Sequence, residues 1–111
     1  MVRKGYNFEY WTKRRLEKEF GKGNVLKIPF WSFVGDFFVF NNGKILKIVE
    51  CKSSRSKYHP NKKEKEQLLK QIKWAKQHNI IWELWVKEGR KIRYLTQESF
   101  LKGMLKNANN A

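Results

Sequence analysis

The sequence predicts one α/β domain in which a central mixed β-sheet is flanked by helices. Its 111 residues are the length of a single domain, and 41% hydrophobic with 15% aromatic residues is enough for a buried core. Stretches with helical and strand patterns alternate in the order αβββαββ, and one more helix follows them. This order favours helices packed around one sheet. We expect the domain to span residues 1–106 and residues 107–111 to form a flexible tail.

The first helix and the first three strands are predicted in the N-terminal half. A helix over residues 6–20 is indicated by a stripe at helical spacing, and a glycine-rich segment ends it. The stripe consists of Glu9, Thr12, Leu16 and Phe20. Strands are expected over residues 25–31, 36–40 and 44–52. The sequence Asn41-Asn42-Gly43 favours a hairpin turn, so the second and third strands should pair.

The C-terminal half is expected to add a crossover helix, two strands and a last helix. Residues 53–63 are polar and basic, and Pro60 prevents a helix from running through them. The later elements are predicted over residues 62–78 (helix), 80–87 and 91–95 (strands) and 96–106 (helix, capped by Thr96). The helix over residues 62–78 should cross over, so that the fourth strand rejoins the same sheet.

The charge balance indicates a polyanion as partner. There are 25 Lys and Arg residues against 10 Asp and Glu residues, a net charge of +15, and each phosphate that they neutralise releases a counterion. A solvated basic surface without a ligand is the alternative. The sequence contains no stretch of about 18 apolar residues, so no membrane-spanning helix is expected. Cys51 is the single cysteine, which excludes an internal disulfide and a cysteine-based zinc site, and we expect a cytoplasmic, nucleoid-associated protein.

Three residues are expected to converge at one end of the hairpin. Asp36 is the only aspartate and begins the second strand, and Glu50 lies near the end of the third. Lys52 follows two residues later, so its side chain and that of Glu50 share one face of the strand. Carboxylates bind Mg²⁺, which activates water for phosphodiester hydrolysis, and a lysine can orient that water or neutralise charge. A Glu50–Lys52 salt bridge, with Asp36 as a turn residue, is the alternative.

These residues carry a family resemblance. Gly35-Asp36, then thirteen residues, then Glu50-Cys51-Lys52-Ser53 resembles the motif of the PD-(D/E)XK nucleases. Within that superfamily the chain is most similar to archaeal Holliday junction resolvases, over about residues 3–87. Two further segments also resemble those resolvases. Arg3-Lys4-Gly5 followed by Glu9 is similar to their N-terminal segment, and Lys65-Glu66-Gln67 followed by Leu68-Leu69 is similar to the start of their second helix.

The resemblance implies a restriction-endonuclease-like fold and a homodimer that cuts four-way DNA junctions symmetrically, with Mg²⁺ or Mn²⁺. Asp36, Glu50 and Glu9 would hold the metal, and Lys52 would act on the water. Ser32 lies in the loop where those resolvases carry a serine that matters for cleavage. The chain departs from their pattern at Gly35, which replaces the motif proline, and at residues 29–33, which are bulky and aromatic instead of glycine-rich.

Basic residues around this centre are candidate phosphate contacts, because Lys and Arg make most such contacts. The candidates are Arg3, Lys4, Arg14, Arg15, Arg55, Lys57, Lys62 and Lys63. Gln67 and Gln71 belong to the helix that should cover the site, and Gln67 is a candidate DNA contact. Gln71 with Trp74 resembles a Gln-x-x-aromatic pattern of related nucleases, while a solvated glutamine is the alternative for both.

Three functions stay open at this point. The first is a magnesium-dependent endonuclease that resolves four-way junctions in DNA recombination and repair. The second keeps this chemistry on another substrate, as a restriction-like or repair nuclease on duplex or branched DNA. The third is a non-catalytic architectural DNA-binding protein, which would be expected to lack at least one of Asp36, Glu50 and Lys52.

Overall fold

A computed structural model describes the backbone of residues 4–109 and the side chains of residues 7–104. Within these residues, three α-helices and five strands follow one another in the predicted order. They are α1 (Lys4–Phe20), β1 (Val25–Lys27), β2 (Phe37–Asn41), β3 (Lys44–Ser54), α2 (Lys62–Gln77), β4 (Ile81–Glu88), β5 (Lys91–Thr96) and α3 (Gln97–Asn109). The predicted α/β class with one central mixed sheet is confirmed.

The five strands form one sheet in the order β1-β2-β3-β4-β5. Neighbouring strands are antiparallel except for β3 and β4, which run parallel. A parallel pair needs a crossover connection, and α2 supplies it, as predicted. Because β3 lies in the middle of the sheet, its side chains meet helices on both faces.

The predicted hairpin joins β2 and β3 through a tight turn. Asn42 and Gly43 both have positive φ angles, 54° and 76°, which a two-residue turn of the type that matches strand twist requires. The register of the hairpin pairs Phe37 with Val49. Asp36 therefore lies next to the C-terminal end of β3.

Side chains of β3 alternate between two hydrophobic cores. Ile48 packs with residues of α2, β4 and α3, among them Leu68, Trp82 and Phe100. Val49 points to the opposite face, where it packs with Leu16 of α1 and other residues. This alternation assigns Glu50 and Lys52 to the α2 face, and Cys51 packs against the α1 core.

The first strand is shorter than predicted. Residues 25–31 were expected to be extended, but β1 ends at Lys27 and Ser32 donates a backbone hydrogen bond to the Pro29 carbonyl, at 2.9 Å. Pro29 has no N–H for a sheet ladder, which explains why the chain turns there. At the other end, α3 continues to Asn109, while Ala111 and Asn110 lie outside the described residues. Among residues 4–109, no helix is both long and apolar enough to cross a bilayer.

Gly35 lets the chain approach β3 closely just before Asp36. Its φ angle is +150°, and an added Cβ atom would lie 2.3 Å from the Cγ2 atom of Ile48, which is fully buried. A side chain at position 35 would therefore push the start of β2 away from β3. The glycine that departs from the motif proline is required by packing in this chain.

We expect Gly35→Ala to lower the free energy of unfolding by about 1–3 kcal/mol, because the added methyl group overpacks the core against Ile48. Urea denaturation measures this change. Gly103→Ala is the matched control: position 103 lies in α3 with open space around it, so that replacement should stabilise the helix by roughly 0.5–1 kcal/mol. A Gly35→Ala protein as stable as the wild type would contradict the close approach.

Candidate active site

Asp36 is attached to β3 by both its main chain and its side chain. Its backbone N–H donates to the Val49 carbonyl at 3.0 Å, and its Oδ2 atom accepts a hydrogen bond from the Cys51 backbone N–H at 2.7 Å. These two bonds lie on either side of Glu50 in the chain. The hairpin thus brings Asp36 to Glu50, as the sequence predicts.

Glu50 and Lys52 extend from the same face of β3 and form an ion pair. The Lys52 Nζ atom lies 3.5 Å from Glu50 Oε2, and the two side chains are 20% and 7% exposed. Such low exposure differs from an ordinary surface salt bridge, in which both groups are solvated. The salt bridge of the alternative is therefore present, but it is largely buried instead of lying on an exposed strand face.

A buried glutamine orients the other oxygen of Glu50. Gln71 in α2 donates from Nε2 to Glu50 Oε1 at 3.2 Å, and the Trp82 Nε1–H donates to Gln71 Oε1 at 3.0 Å. The indole N–H can only donate, so it fixes which end of the Gln71 amide faces Glu50. Gln71 is 1% exposed, which excludes the solvated glutamine considered as an alternative.

Glu64, in the first turn of α2, is the second carboxylate close to the ammonium group of Lys52. Its Oε1 atom accepts from the Asn61 backbone N–H at 3.2 Å in a capping box, and this leaves Oε2 free for other partners. Oε2 accepts from the Tyr58 hydroxyl at 2.9 Å and lies 3.8 Å from Lys52 Nζ. Sequence analysis missed Glu64 and Tyr58, although Asn61-x-x-Glu64 is a readable helix-start signal.

In the folded protein, the ionised forms of the Asp36 and Glu50 carboxyl groups are electrostatically unfavourable. Burial and the Asp36 carboxylate together raise the pKa of Glu50 from 4.5 to about 7, against the opposing effects of Lys52 and Gln71. Burial also raises the pKa of Asp36, although the Cys51 amide opposes this and Glu9 adds to it. A nearby cation would relieve both carboxylates at once. Burial likewise raises the pKa of the Cys51 thiol, so this cysteine stays protonated at neutral pH.

The residues present suit a magnesium ion. No group of three or more His, Cys, Asp or Glu side chains with metal-ligand spacing occurs within the part of the chain that the structure describes. Mg²⁺ does not need one, because it keeps several waters and uses one or two carboxylates together with substrate phosphates. Asp36 and Glu50 provide such a pair, and their raised pKa values favour a cation as partner.

Glu9 and Ser32, the other predicted catalytic residues, are not joined to this centre by direct contacts. The Glu9 carboxylate is 2.6 Å from Lys27 Nζ, and it is near enough to Asp36 to act on its pKa. Ser32 is half-buried at the end of the turn that begins at Pro29. Their roles remain predictions.

The predicted DNA contacts lie in two regions. Lys62 and Lys63 precede Glu64 in the first turn of α2, and Arg55 and Lys57 are exposed in the segment between β3 and α2, so we expect these four to border the site. Arg14 and Arg15 are exposed on α1, and Gln67 is exposed on α2. Lys4 begins α1 but its side chain is not among those described, and Arg3 lies outside the described residues.

The five-stranded mixed sheet with three helices has the α/β architecture that the sequence predicts. The sequence matches no protein-family model and no curated protein. Among solved structures it is similar to Hjc, a Holliday junction resolvase from the archaeal hyperthermophile Archaeoglobus fulgidus, with 20% sequence identity and a TM-score of 0.52. The match covers 77% of this chain and 75% of that one. At this identity, the likeness shows the fold.

We expect Glu50→Gln to stabilise the metal-free protein at about pH 8, with an advantage that shrinks as the pH falls. Below 4.5 the carboxyl group is protonated in both the folded and the unfolded chain. As the pH rises from 4.5 to about 7, the unfolded chain ionises first, so wild-type stability is lost in this window. Urea unfolding in EDTA across this range measures the difference. The exposed Glu66→Gln is the control, and an equal response of both variants would contradict the raised pKa of the buried Glu50 carboxyl group.

Proposed function

We propose that this protein is a magnesium-dependent endodeoxyribonuclease that cuts branched DNA, with four-way junctions as its substrate. One observation carries the proposal: the half-buried Asp36 carboxylate lies close enough to the buried Glu50 carboxylate to raise its pKa, and the ammonium group of Lys52 is 3.5 Å from Glu50. A structural ion pair needs no second carboxylate. A metal-dependent phosphodiesterase centre can use both carboxylates as metal ligands and the lysine to act on the attacking water or the developing charge.

In this proposal each residue has a role that follows from its contacts. Asp36 and Glu50 would hold Mg²⁺, or Mn²⁺ in its place, and Glu9 would contribute from α1. The bound metal would supply an activated water and stabilise charge on the leaving oxygen. Gln71 keeps Glu50 oriented, and Glu64 holds Lys52 from the opposite side. Lys52 would orient the attacking water or neutralise charge on the phosphorane.

In this proposal, the positive charge of the protein attracts DNA to the active site. The net charge of +15 supports a polyanion as partner. Arg55, Lys57, Lys62 and Lys63 would contact the phosphates on either side of the scissile bond, since we expect them to border the site. Arg14, Arg15 and Gln67 would contact more distant phosphates. A DNA-acting protein of this kind would work inside the cell.

Four-way junctions are preferred over other substrates for two reasons. The fold is shared with Hjc, a protein named as a Holliday junction resolvase. A homodimer with two active sites, which we propose here, would also suit paired cuts in the two strands of a symmetric junction. A restriction-like or repair nuclease with the same centre is the second candidate, and the binding experiment below separates the two.

Asp36→Asn and Glu50→Gln should each abolish cleavage of a synthetic four-way junction in Mg²⁺ while DNA binding is retained. Loss of the several kcal/mol that a metal supplies corresponds to about a thousandfold or more in rate. Gel-based cleavage assays with matched EDTA reactions measure this, and the exposed Glu98→Gln in α3 serves as control. Undiminished turnover in either variant would mean that the nuclease assignment is wrong.

Lys52→Ala should also stop cleavage, but it should leave metal binding largely intact. Lys52 lowers the pKa of Glu50, so its removal increases competition by protons, and calorimetry with Mn²⁺ is best done at about pH 8.5. Lys76→Ala, at the exposed end of α2, is the control. Lost Mn²⁺ binding in Lys52→Ala, with Lys76→Ala unaffected, would show that Lys52 supports the site's structure instead of its chemistry.

The protein should bind a four-way junction at least about tenfold more tightly than linear duplex of equal mass, a difference of about 1.4 kcal/mol. Both substrates have the same charge density, so the difference must come from DNA shape and should survive added salt better than either affinity does. Competition binding in Ca²⁺, which suppresses cutting, measures it, and a dimer predicts two chains per junction. Displacement of the junction by an equal mass of duplex at every salt concentration would favour the second candidate.

A further inference from the structure

The connection between β1 and β2 carries an unusual concentration of exposed aromatic side chains. Phe30 is 98% exposed, Trp31 77% and Phe33 49%, and all three lie within residues 29–33, here called the aromatic loop. Exposed apolar side chains that occur singly need no explanation, but a contiguous group of them marks a binding surface. We infer that the aromatic loop stacks on unpaired or unstacked DNA bases beside the phosphate that is cut.

The loop is built to present these rings. Ser32 donates its backbone N–H to the Pro29 carbonyl at 2.9 Å, which closes a turn with Phe30 and Trp31 at its corners. On either side of the turn, Ile28 and Val34 are buried in the core, and Ile28 donates its backbone N–H to the Asp36 carbonyl at 2.8 Å. Both ends of the loop are therefore anchored in the core, whereas its aromatic side chains are exposed to solvent.

The loop is close to the proposed active site. Phe33 precedes Asp36 by three residues, so their Cα atoms are at most about 11 Å apart. A base stacked on the loop would consequently belong to a nucleotide within a few positions of the phosphate at Asp36. The inference rests on the proposed function in this respect, because it assigns the loop to the substrate of that centre.

The surroundings of the loop favour DNA over a protein partner. Phe33 lines a groove of about 350 Å³ together with Lys70, Lys73 and Trp74 of α2, and it also lines a second groove in which Lys63 and Lys70 accompany Glu64 and Glu66. Protein interfaces are depleted in lysine, and a second copy of this basic chain would bring positive charge toward Lys70 and Lys73. A surface that combines aromatic rings with lysines is typical of single-stranded DNA binding, where bases stack and phosphates pair with the ammonium groups.

This surface would make the proposed cleavage selective for particular DNA structures. An intact duplex hides the faces of its bases, whereas branch points, gaps and single strands expose them. The aromatic loop would therefore favour DNA whose bases are unstacked at the cutting site, including the centre of an open junction. A closed duplex would contact only the basic residues.

Two substitutions at Trp31 separate stacking from mere apolar contact. Trp31→Phe keeps an aromatic ring, and Trp31→Leu keeps an apolar side chain without one. Fluorescence anisotropy in EDTA would measure the affinity for a short oligothymidine and for a dumbbell duplex closed at both ends by ethylene glycol linkers, which leave no base unpaired. Stacking on one base contributes about 1–3 kcal/mol, so Trp31→Leu should bind oligothymidine roughly five- to a hundredfold more weakly. Trp31→Phe should stay within about threefold of the wild type, and all three proteins should bind the dumbbell equally.

Intrinsic fluorescence gives a second readout of the same contact. Among the five tryptophans, Trp31 has the greatest exposure, so oligothymidine should quench the wild-type emission more strongly than that of either variant. Equal oligothymidine binding by wild type and Trp31→Leu would overturn the inference. The inference would also be overturned if Trp31→Leu lost as much affinity for the dumbbell as for oligothymidine. Conversion of a wild-type dimer to a monomer by Trp31→Leu, measured by sedimentation, would overturn it as well. None of these readouts needs cleavage, so an inactive wild type would count against the proposed function alone.

Discussion

The hydrogen bond from the Cys51 amide to the Asp36 carboxylate, at 2.7 Å, links the two halves of the site. It works only because the neighbouring Asp36 N–H is already bonded to Val49, which sets the start of β2 against the end of β3. That approach in turn requires glycine at position 35, since a Cβ atom there would meet Ile48. The tight Asn42-Gly43 turn starts the hairpin, and a one-residue shift in register between Val39 and Phe40 then places Phe37 opposite Val49. Each local feature of the hairpin thus serves one result, which is that Asp36 and Glu50 are held together.

Holding two carboxylates together is unfavourable, and the rest of the site compensates for it in part. Gln71 and Lys52 each favour the charged form of Glu50, and Trp82 and Glu64 fix the positions of those two residues. The compensation is incomplete, because the pKa of Glu50 is still raised to about 7. A site that remains electrostatically unfavourable after folding is typical of a place where a cation binds. Since α2 supplies both Gln71 and Glu64, its position is coupled directly to the charge of Glu50.

Much of this arrangement could be predicted because it depends on local sequence. The period of two along β3 assigns Glu50 and Lys52 to one face, and the Asn-Gly turn pairs β2 with β3. Contacts from residues distant in sequence could not be read in this way. Gln71 could be solvated or buried until the crossover of α2 placed it over β3, and Tyr58 and Glu64 approach Lys52 only through that crossover. The predicted extent of β1 was wrong because the apolar character of residues 29–31 suggests a strand, whereas they begin an exposed turn.

The central claim is that burial and the neighbouring Asp36 carboxylate raise the pKa of Glu50, and that in the proposed function one Mg²⁺ ion relieves both carboxylates. Carboxyl-detected NMR titration of Glu50, with and without saturating Mg²⁺, tests this claim most directly. The account predicts a pKa of about 7 in the absence of metal, and a fall of that pKa when Mg²⁺ is added, because the ion favours the ionised form. The Asp36→Asn protein should start from a lower pKa of Glu50 and respond less to Mg²⁺, since it lacks both the repulsion and one ligand. A pKa of Glu50 near 4.5 that Mg²⁺ leaves unchanged would contradict the account.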